Sequence, residues 1–317
     1  MNPVQQRVSR VLALEPGGAP TRAAGIANRI IRATARAAWA ASPNTDAGLR
    51  AFQWVTGRVP GRVPPGVKIV PESFGEFTGE WVRAGRVHED RVFLYLHGGG
   101  YFFGNPRIYR GFSWRLSAST RRAVLMVDYR LVPEHTPADA LADALVAYEA
   151  LLARGIEAHN IVVGGDSAGG HLALSLLHTL KRRGLPQPSA AVVISPWADI
   201  ACAAESHRLN ERTDHLIPAV KLAWLGSRFC AGLAEDDALY APIAGDYRGL
   251  PRLMVIASGS EILRDDARLV ARLAADAGIE VVHQEWEGLV HVFPVFADFI
   301  PEGKAAFRHI ADFLRRS

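Results

Sequence analysis

The sequence predicts an α/β fold built on one mostly parallel sheet with helices on both faces. Short β-branched and aromatic runs recur from residue 91 onward: RVFLYLH (91–97), AVLMVDY (123–129), NIVVGGD (160–166), AAVVISP (190–196) and RLMVIAS (252–258). They carry little polar alternation, as expected of strands covered on both sides. Between them lie helix-patterned segments, PADALADALVAYEALLARG, AGGHLALSLLHTLKRRG and DDARLVARLAADAG, closed by Gly155, Gly184 and Gly278. With 317 residues, 49% hydrophobic and 21% charged, the chain has material for a large core and lacks the polar bias of disorder.

Taken in chain order, residues 1–66 are helical and loop-like. Arg22, Arg29 and Arg36 recur every seven residues with Arg32 nearby, while Ala24, Ala27, Ile31, Ala35 and Ala38 keep the spacing of an apolar face. This predicts a surface helix with a solvated charged face. It also accounts for the net charge of +4, since residues 1–50 hold seven arginines against Glu15 and Asp46. KIVPESF (68–74) and EFTGEWVRA (76–84) read as antiparallel edge strands. The parallel core follows, and EVVHQEW (280–286) and FRHIADFLRR (307–316) supply a further strand and a last helix. Residues 201–240 are a long excursion between two core strands, and such insertions are usually lids or binding loops. The expected organisation is one core domain, 67–200 plus 241–317, with 1–66 and 201–240 as the segments that would cover the carboxyl ends of its strands.

Three loops of that core carry chemistry. The strand 160–166 runs into Gly165-Asp166-Ser167-Ala168-Gly169 and then at once into a helix. In a strand-to-helix turn this sharp, glycines must flank the serine, whose Oγ is pushed outward beside the helix N-terminus. The strand 91–97 ends in His97-Gly98-Gly99-Gly100-Tyr101, where bare backbone N–H groups can face a developing oxyanion. Gly98, Gly100 and Gly104 with Asp128 also resemble a loose dinucleotide loop. That reading needs a helix beginning there, whereas Tyr101, Phe102, Phe103 and Asn105-Pro106 read as a loop, and it leaves Ser167 unexplained. His291 follows the strand 280–286, where a general base is expected. His97, His171, His178 and His283 sit where packing or support of the loops is the expected role.

HGGGY (97–101), YRLVPEH (129–135), GDSAGG (165–170), SPW (195–197) and GLVHVF (288–293) together resemble the hormone-sensitive-lipase-like α/β-hydrolases, the bacterial carboxylesterases in particular, over about residues 66–316. The resemblance implies an α/β-hydrolase fold with a helical cap and a cofactor-free serine esterase. Ser167 would be its nucleophile and His291 its base, with oxyanion N–H groups from Gly99, Gly100 and Ala168. Tyr129, Arg130, Pro133 and Glu134 would brace the sheet. The family's acid lies in D-P-L-x-D, and its first position here is Glu261, within SGSEILRDD (258–266). Asp265 and Asp266 fall in the first turn of the next helix, where carboxylates cap N–H groups. Glu261 is therefore the expected acid and Asp265 the reserve.

Tyr101, Phe102, Phe103, Trp224, Leu225 and Phe229 are the candidate pocket residues. The expected substrate is a small-molecule ester with a short to medium acyl chain. A lactone or aryl-amide hydrolase uses the same site, and a non-catalytic small-molecule receptor on this fold would have no need of His291. No cofactor, metal, nucleic acid or stable membrane association is expected, and a homodimer is left open. Cys202 and Cys230 lack metal-ligand spacing. No early stretch reads as a secretion signal and no run reaches ~18 apolar residues, so a cytoplasmic enzyme is expected.

Overall fold

The computed structural model describes residues 11–14, 19–57, 61–231, 237 and 239–315. Parts of the expected cap at 1–10, 15–18, 58–60, 232–236 and 238, and residues 316–317, where the last helix is expected to end, lie outside the described residues.

Among the described residues, nine strands form one sheet. They are β1 (Val11–Leu14), β2 (Lys68–Ser73), β3 (Thr78–Arg83), β4 (His88–Leu96), β5 (Arg122–Asp128), β6 (Ile161–Asp166), β7 (Ala190–Ile194), β8 (Arg252–Ser258) and β9 (Val281–Trp286), in the order β1-β9-β8-β7-β6-β4-β5-β3-β2. The pairs β2–β3 and β3–β5 are antiparallel and all others parallel. Every expected strand is present, and β1, alongside β9, is an addition.

The apolar runs are explained by two cores, one on each face of the sheet. Along β4, Val92, Leu94 and Leu96 point into one and Phe93 and Tyr95 into the other. Helices α4 (Pro137–Ala153), α5 (Ala168–Arg182) and α7 (Arg264–Asp276) cover the first face, and α3 (Pro106–Thr120) and α8 (Pro301–Arg315) the second. Their ends follow local chemistry. Asn105 and Thr136 cap α3 and α4, each with proline at the first helical position. Gly155, Gly184 and Gly278 take φ of +79°, +65° and +82° just past α4, α5 and α7.

The N-terminal helices α1 (Arg22–Ile31) and α2 (Asp46–Thr56), and α6 (Ala219–Cys230) of the insertion, lie over the carboxyl ends of the strands. Helix α1 continues through a π-helical turn, Arg32–Arg36, into Ala37–Ala41. Its apolar face is narrower than expected: Ala24 and Ala27 are buried, whereas Ala35 and Ala38 are exposed. Nor is its charged face all solvated. Arg32 Nη1 donates to Arg212 O and Asp214 O at 2.8 and 3.1 Å. Arg36 donates to Asp214 O, Glu211 O and the Glu211 carboxylate. Arg32 and Arg36 thus clamp the insertion, a partner too distant in sequence for periodicity to reveal. Lys221 Nζ returns the contact to Ser42 O and Asn44 Oδ1.

Helix α5 lies so close to β4 that a Cβ at Gly169 would sit 2.1 Å from Leu96 O and 2.4 Å from His97 O, whereas one at Gly25 in α1 would meet nothing within 4 Å. Thermal melting should therefore separate two identical substitutions. Gly169→Ala is expected to lose about 1–3 kcal/mol by overpacking, and Gly25→Ala to gain about 0.5–1 kcal/mol from helix propensity.

Candidate active site

Strand β6 and helix α5 meet at Ser167, whose φ of 53° and ψ of −121° no relaxed serine adopts. Its backbone is pinned on three sides. Ser167 N–H donates to Ile194 O at 2.9 Å, and Ser167 O accepts from Trp197 N–H and His171 N–H at 3.0 and 3.1 Å. Glycine is required on both flanks, because a Cβ at Gly165 would lie 2.2 Å from Gly169 O.

The neighbouring Asp166 ties this turn to the glycine loop. It accepts from Tyr95 and Tyr109 hydroxyls at 3.0 and 2.7 Å and from Gly98 N–H at 3.0 Å. Burial pushes its carboxyl up to about 6 against the opposing pull of those donors. Gly99 has φ of +119°, and its Cβ would strike Phe103 O at 2.0 Å. The loop is further held by Tyr129 Oη donating to His97 O at 2.5 Å, and by Gln53 of α2 donating to Phe102 O and Val132 O. With Gly98 N–H engaged, the N–H groups of Gly99, Gly100 and Ala168 have no acceptor among the described residues.

On the other side of Ser167, His291 Nδ1 and Glu261 Oε2 are 2.5 Å apart, both buried. The second carboxylate oxygen of Glu261 accepts from Ser258 N–H at 2.9 Å. With Nδ1–H donating to the carboxylate, a neutral His291 carries its lone pair on Nε2. Burial pulls this imidazole toward neutrality, but the charge and hydrogen bond of Glu261, with Asp214 and Asp166 behind it, raise its pKa above the usual histidine value.

Ser167, His291, Gly99 and Gly100 border one cavity of about 300 Å³. Trp39 and Phe52 enter it from the N-terminal helices, Leu216, Ile217 and Leu222 from the insertion, and Phe102, Phe103 and Phe296 from the core. A more open cleft of about 750 Å³, between Pro64–Val67 and Arg86–His88, borders none of the candidate residues.

Phe102 and Phe103 thus line the cavity, but the other four pocket candidates do not. Tyr101 is fully buried, its hydroxyl 2.7 Å from His171 Nδ1, and Phe229 packs behind it against Trp197. Trp224 lies beneath the Arg228 guanidinium. Leu225 is buried behind Gly100. These side chains back the wall, because aromatic content does not tell which face of a segment meets the cavity. Among the other histidines, burial pushes His97, His171 and His178 down to about 4, and all three lie off the cavity. Asp265 and Asp266 do fall in the first turn of α7, yet they cap the insertion instead of their own helix. Asp265 accepts from Ser206 N–H, and Asp266 from Asp199 N–H while pairing with His207 at 3.2 Å. Asp166, Asp214 and Gln53 went unnoticed in the sequence, where only the position of Asp166 inside the serine motif gave any signal.

The short Nδ1–Glu261 bond predicts a strongly deshielded proton resonance in the NMR spectrum at neutral pH. It should vanish in Glu261→Gln and persist in Asp265→Asn.

A family model described as alpha/beta hydrolase fold matches residues 93–295. An acetyl-hydrolase of Streptomyces hygroscopicus is 39% identical over 80% of this chain and 83% of its own length. Among solved structures, an esterase from the bacterial hormone-sensitive lipase family is 33% identical at a TM-score of 0.84, covering 94% of this chain and 99% of that one. EstE5, soaked with p-nitrophenyl butyrate, is 29% identical at a TM-score of 0.86, covering 93% and 98%. The chain belongs to the α/β-hydrolase fold family, among the hormone-sensitive-lipase-like carboxylic ester hydrolases.

Proposed function

We propose that the protein is a serine carboxylesterase acting on short to medium acyl esters of small molecules, with Ser167 as nucleophile, His291 as general base and Glu261 as the triad acid. The observation that carries this reading is the convergence on one cavity of a strained serine, a carboxylate-bound histidine and unpartnered backbone N–H groups. His291 Nε2 takes the Ser167 proton as Oγ attacks the ester carbonyl. The tetrahedral oxyanion falls to the N–H groups of Gly99, Gly100 and Ala168, and the imidazolium is held by Glu261. The same imidazolium protonates the leaving alcohol, and water then repeats the sequence on the acyl-enzyme. Every proton moved passes through His291, and no cofactor enters the scheme.

The cavity supports this substrate class. Its walls are apolar and its volume of about 300 Å³ suits a neutral ester of modest size. The relative named an acetyl-hydrolase and the structure soaked with a butyrate ester lend support to short acyl groups. Lactones and aryl amides pass through the same intermediate and are the alternative substrates of this site. A purely binding role leaves the Glu261–His291 pair without a task. No helix among the described residues is long and apolar enough to cross a membrane. A cytoplasmic location, a small-molecule partner without nucleic acid, and a homodimer as the assembly to look for complete the reading.

Ser167→Ala should stay folded and lose on the order of 10⁴-fold or more in kcat toward p-nitrophenyl esters. Parental turnover by the folded variant would sink the nucleophile assignment. In an acyl series kcat/KM should peak within roughly two to eight carbons, as expected of a pocket of this size. A steady rise toward palmitoyl esters contradicts that size limit, and faster turnover of lactones or anilides moves the substrate class.

A further inference from the structure

The loop that carries Glu261 is held mainly by the insertion that lies over it. Asn210 Nδ2 donates to Gly259 O at 3.0 Å and to Glu261 O at 2.8 Å. Thr213 Oγ1 donates to Ser260 O at 2.9 Å, and Ser206 Oγ to Ile262 O at 2.6 Å. One bond runs the other way: Ile262 N–H, the peptide directly after the acid, donates to Asp214 Oδ2 at 2.9 Å.

Asp214 is 1% exposed. Its other oxygen accepts from Leu216 N–H at 2.7 Å and Ile217 N–H at 2.8 Å, and both residues line the cavity. Burial raises its pKa above the usual carboxylate value, against the opposing pull of the His291 charge and of its three donors, all peptide N–H groups. Its carbonyl accepts from Arg32 Nη1 and Arg36 Nε, both at 3.1 Å. One side chain therefore joins the acid loop to the cavity wall, and its backbone joins both to helix α1.

We propose that Asp214 is a positioning residue for acyl transfer, holding the Glu261 loop in register with the cavity wall and setting a second fixed negative charge near His291. The proposal rests on the assignment of Glu261 and His291 as acid and base. A loop residue following a strand end has no regular backbone ladder to fix its carboxylate. A displacement of about 1 Å at such a group can cost on the order of 10²-fold in rate. The charged groups acting on His291 are the carboxylates of Glu261 from the loop after β8, Asp214 from the insertion and Asp166 from the serine turn. Asp214 is faced by His291, by Arg32 and Arg36 of the α1 segment, and by its neighbour His215, whose pKa burial and those arginines lower. Removing Asp214's charge leaves the imidazolium with one fewer negative group. The pKa of His291 then falls, and the acid limb of kcat/KM moves to lower pH.

The test is a double-mutant cycle on the full chain with p-nitrophenyl butyrate as probe. Asp214→Asn keeps the shape and can still accept from Leu216 and Ile217 N–H, but it turns an amide NH₂ toward Ile262 N–H. It should lower kcat by roughly 10- to 100-fold, change KM less than about threefold, and move the acid limb to lower pH. In a Glu261→Gln background the same change should cost less than about threefold, because the group it positions is already disabled. An equal factor in both backgrounds, or a lowered Tm with the acid limb unmoved, overturns the proposal and leaves Asp214 as a fold residue. If Glu261→Gln alone keeps parental kcat, the acid assignment fails instead, a result read without Asp214. Asp214→Ser, which keeps an acceptor and drops the charge, is measured with the same expectations should Asp214→Asn not fold.

Discussion

At the carboxyl ends of β4 and β6 two backbones approach so closely that only glycine fits between them. Gly169 abuts Leu96 O and His97 O, Gly165 abuts the carbonyl of Gly169, and a Cβ at Gly98 would strike the Asp166 carboxylate at 2.3 Å. This contact fixes the serine turn against the glycine loop, so the Ser167 hydroxyl from one strand and free N–H groups from another share a frame set by backbone. Side-chain rotamers do not enter. The unfavourable φ of Ser167, of order 1–3 kcal/mol for such a conformation, is sustained because three backbone hydrogen bonds and the packed neighbours leave no alternative. Asp166, at the end of β6, completes the joint by accepting from Tyr95 of β4, Gly98 of the glycine loop and Tyr109 of α3.

Electrostatics at the site follow from the same enclosure. Three buried carboxylates, Glu261, Asp214 and Asp166, act on His291, and each is compensated differently. Glu261 has His291 itself and Ser258 N–H, Asp214 has three peptide N–H groups, and Asp166 has two phenols and one N–H. Where the donors are neutral, burial prevails and pushes the carboxyl up, to about 6 for Asp166. The result is a histidine biased toward accepting a proton in a cavity whose walls are hydrocarbon, where a charge that forms during reaction is felt strongly.

The sheet, its antiparallel edge and the serine, glycine and histidine loops were legible because each is written in consecutive residues: an apolar run, a glycine flank, a capping asparagine. Glu261 and Asp265 are told apart on similar grounds, since Asp265 lies inside the first turn of α7 whereas Glu261 precedes it and meets His291. What Asp265 and Asp266 bind was not legible. A helix start accounts for their position, while their partners, Ser206, Asp199 and His207, stand about 60 residues away. Arg32 and Arg36 misled for the same reason, their acceptors lying at 211–214. Tyr101 misled differently: its neighbours Phe102 and Phe103 do line the cavity, but a φ of +63° turns the chain there and sends its hydroxyl to His171. Strand β1, four residues long, is too short for periodicity to announce.

These long-range polar contacts converge on the N-terminal segment. Asn28 of α1 donates to Gly288 O at 2.7 Å in the loop that carries His291, Gln53 of α2 holds the glycine loop through Phe102 O, and Arg32 and Arg36 hold the stretch of insertion that supports Glu261. Among the described residues its fully buried apolar side chains are few, Ala24, Ala27 and Leu49, with Ile31, Trp39 and Phe52 partly buried against the core. Hydrogen bonds, each worth about 0.5–1.5 kcal/mol net, therefore carry much of its attachment to a core sealed by whole strands of Val, Leu and Ile. Parts held in this way open before the core does. The loops that carry His291, the glycine run and Glu261 thus share a support weaker than the sheet from which they spring, so a displacement of the N-terminal helices would act on all three at once while the strands stay in register.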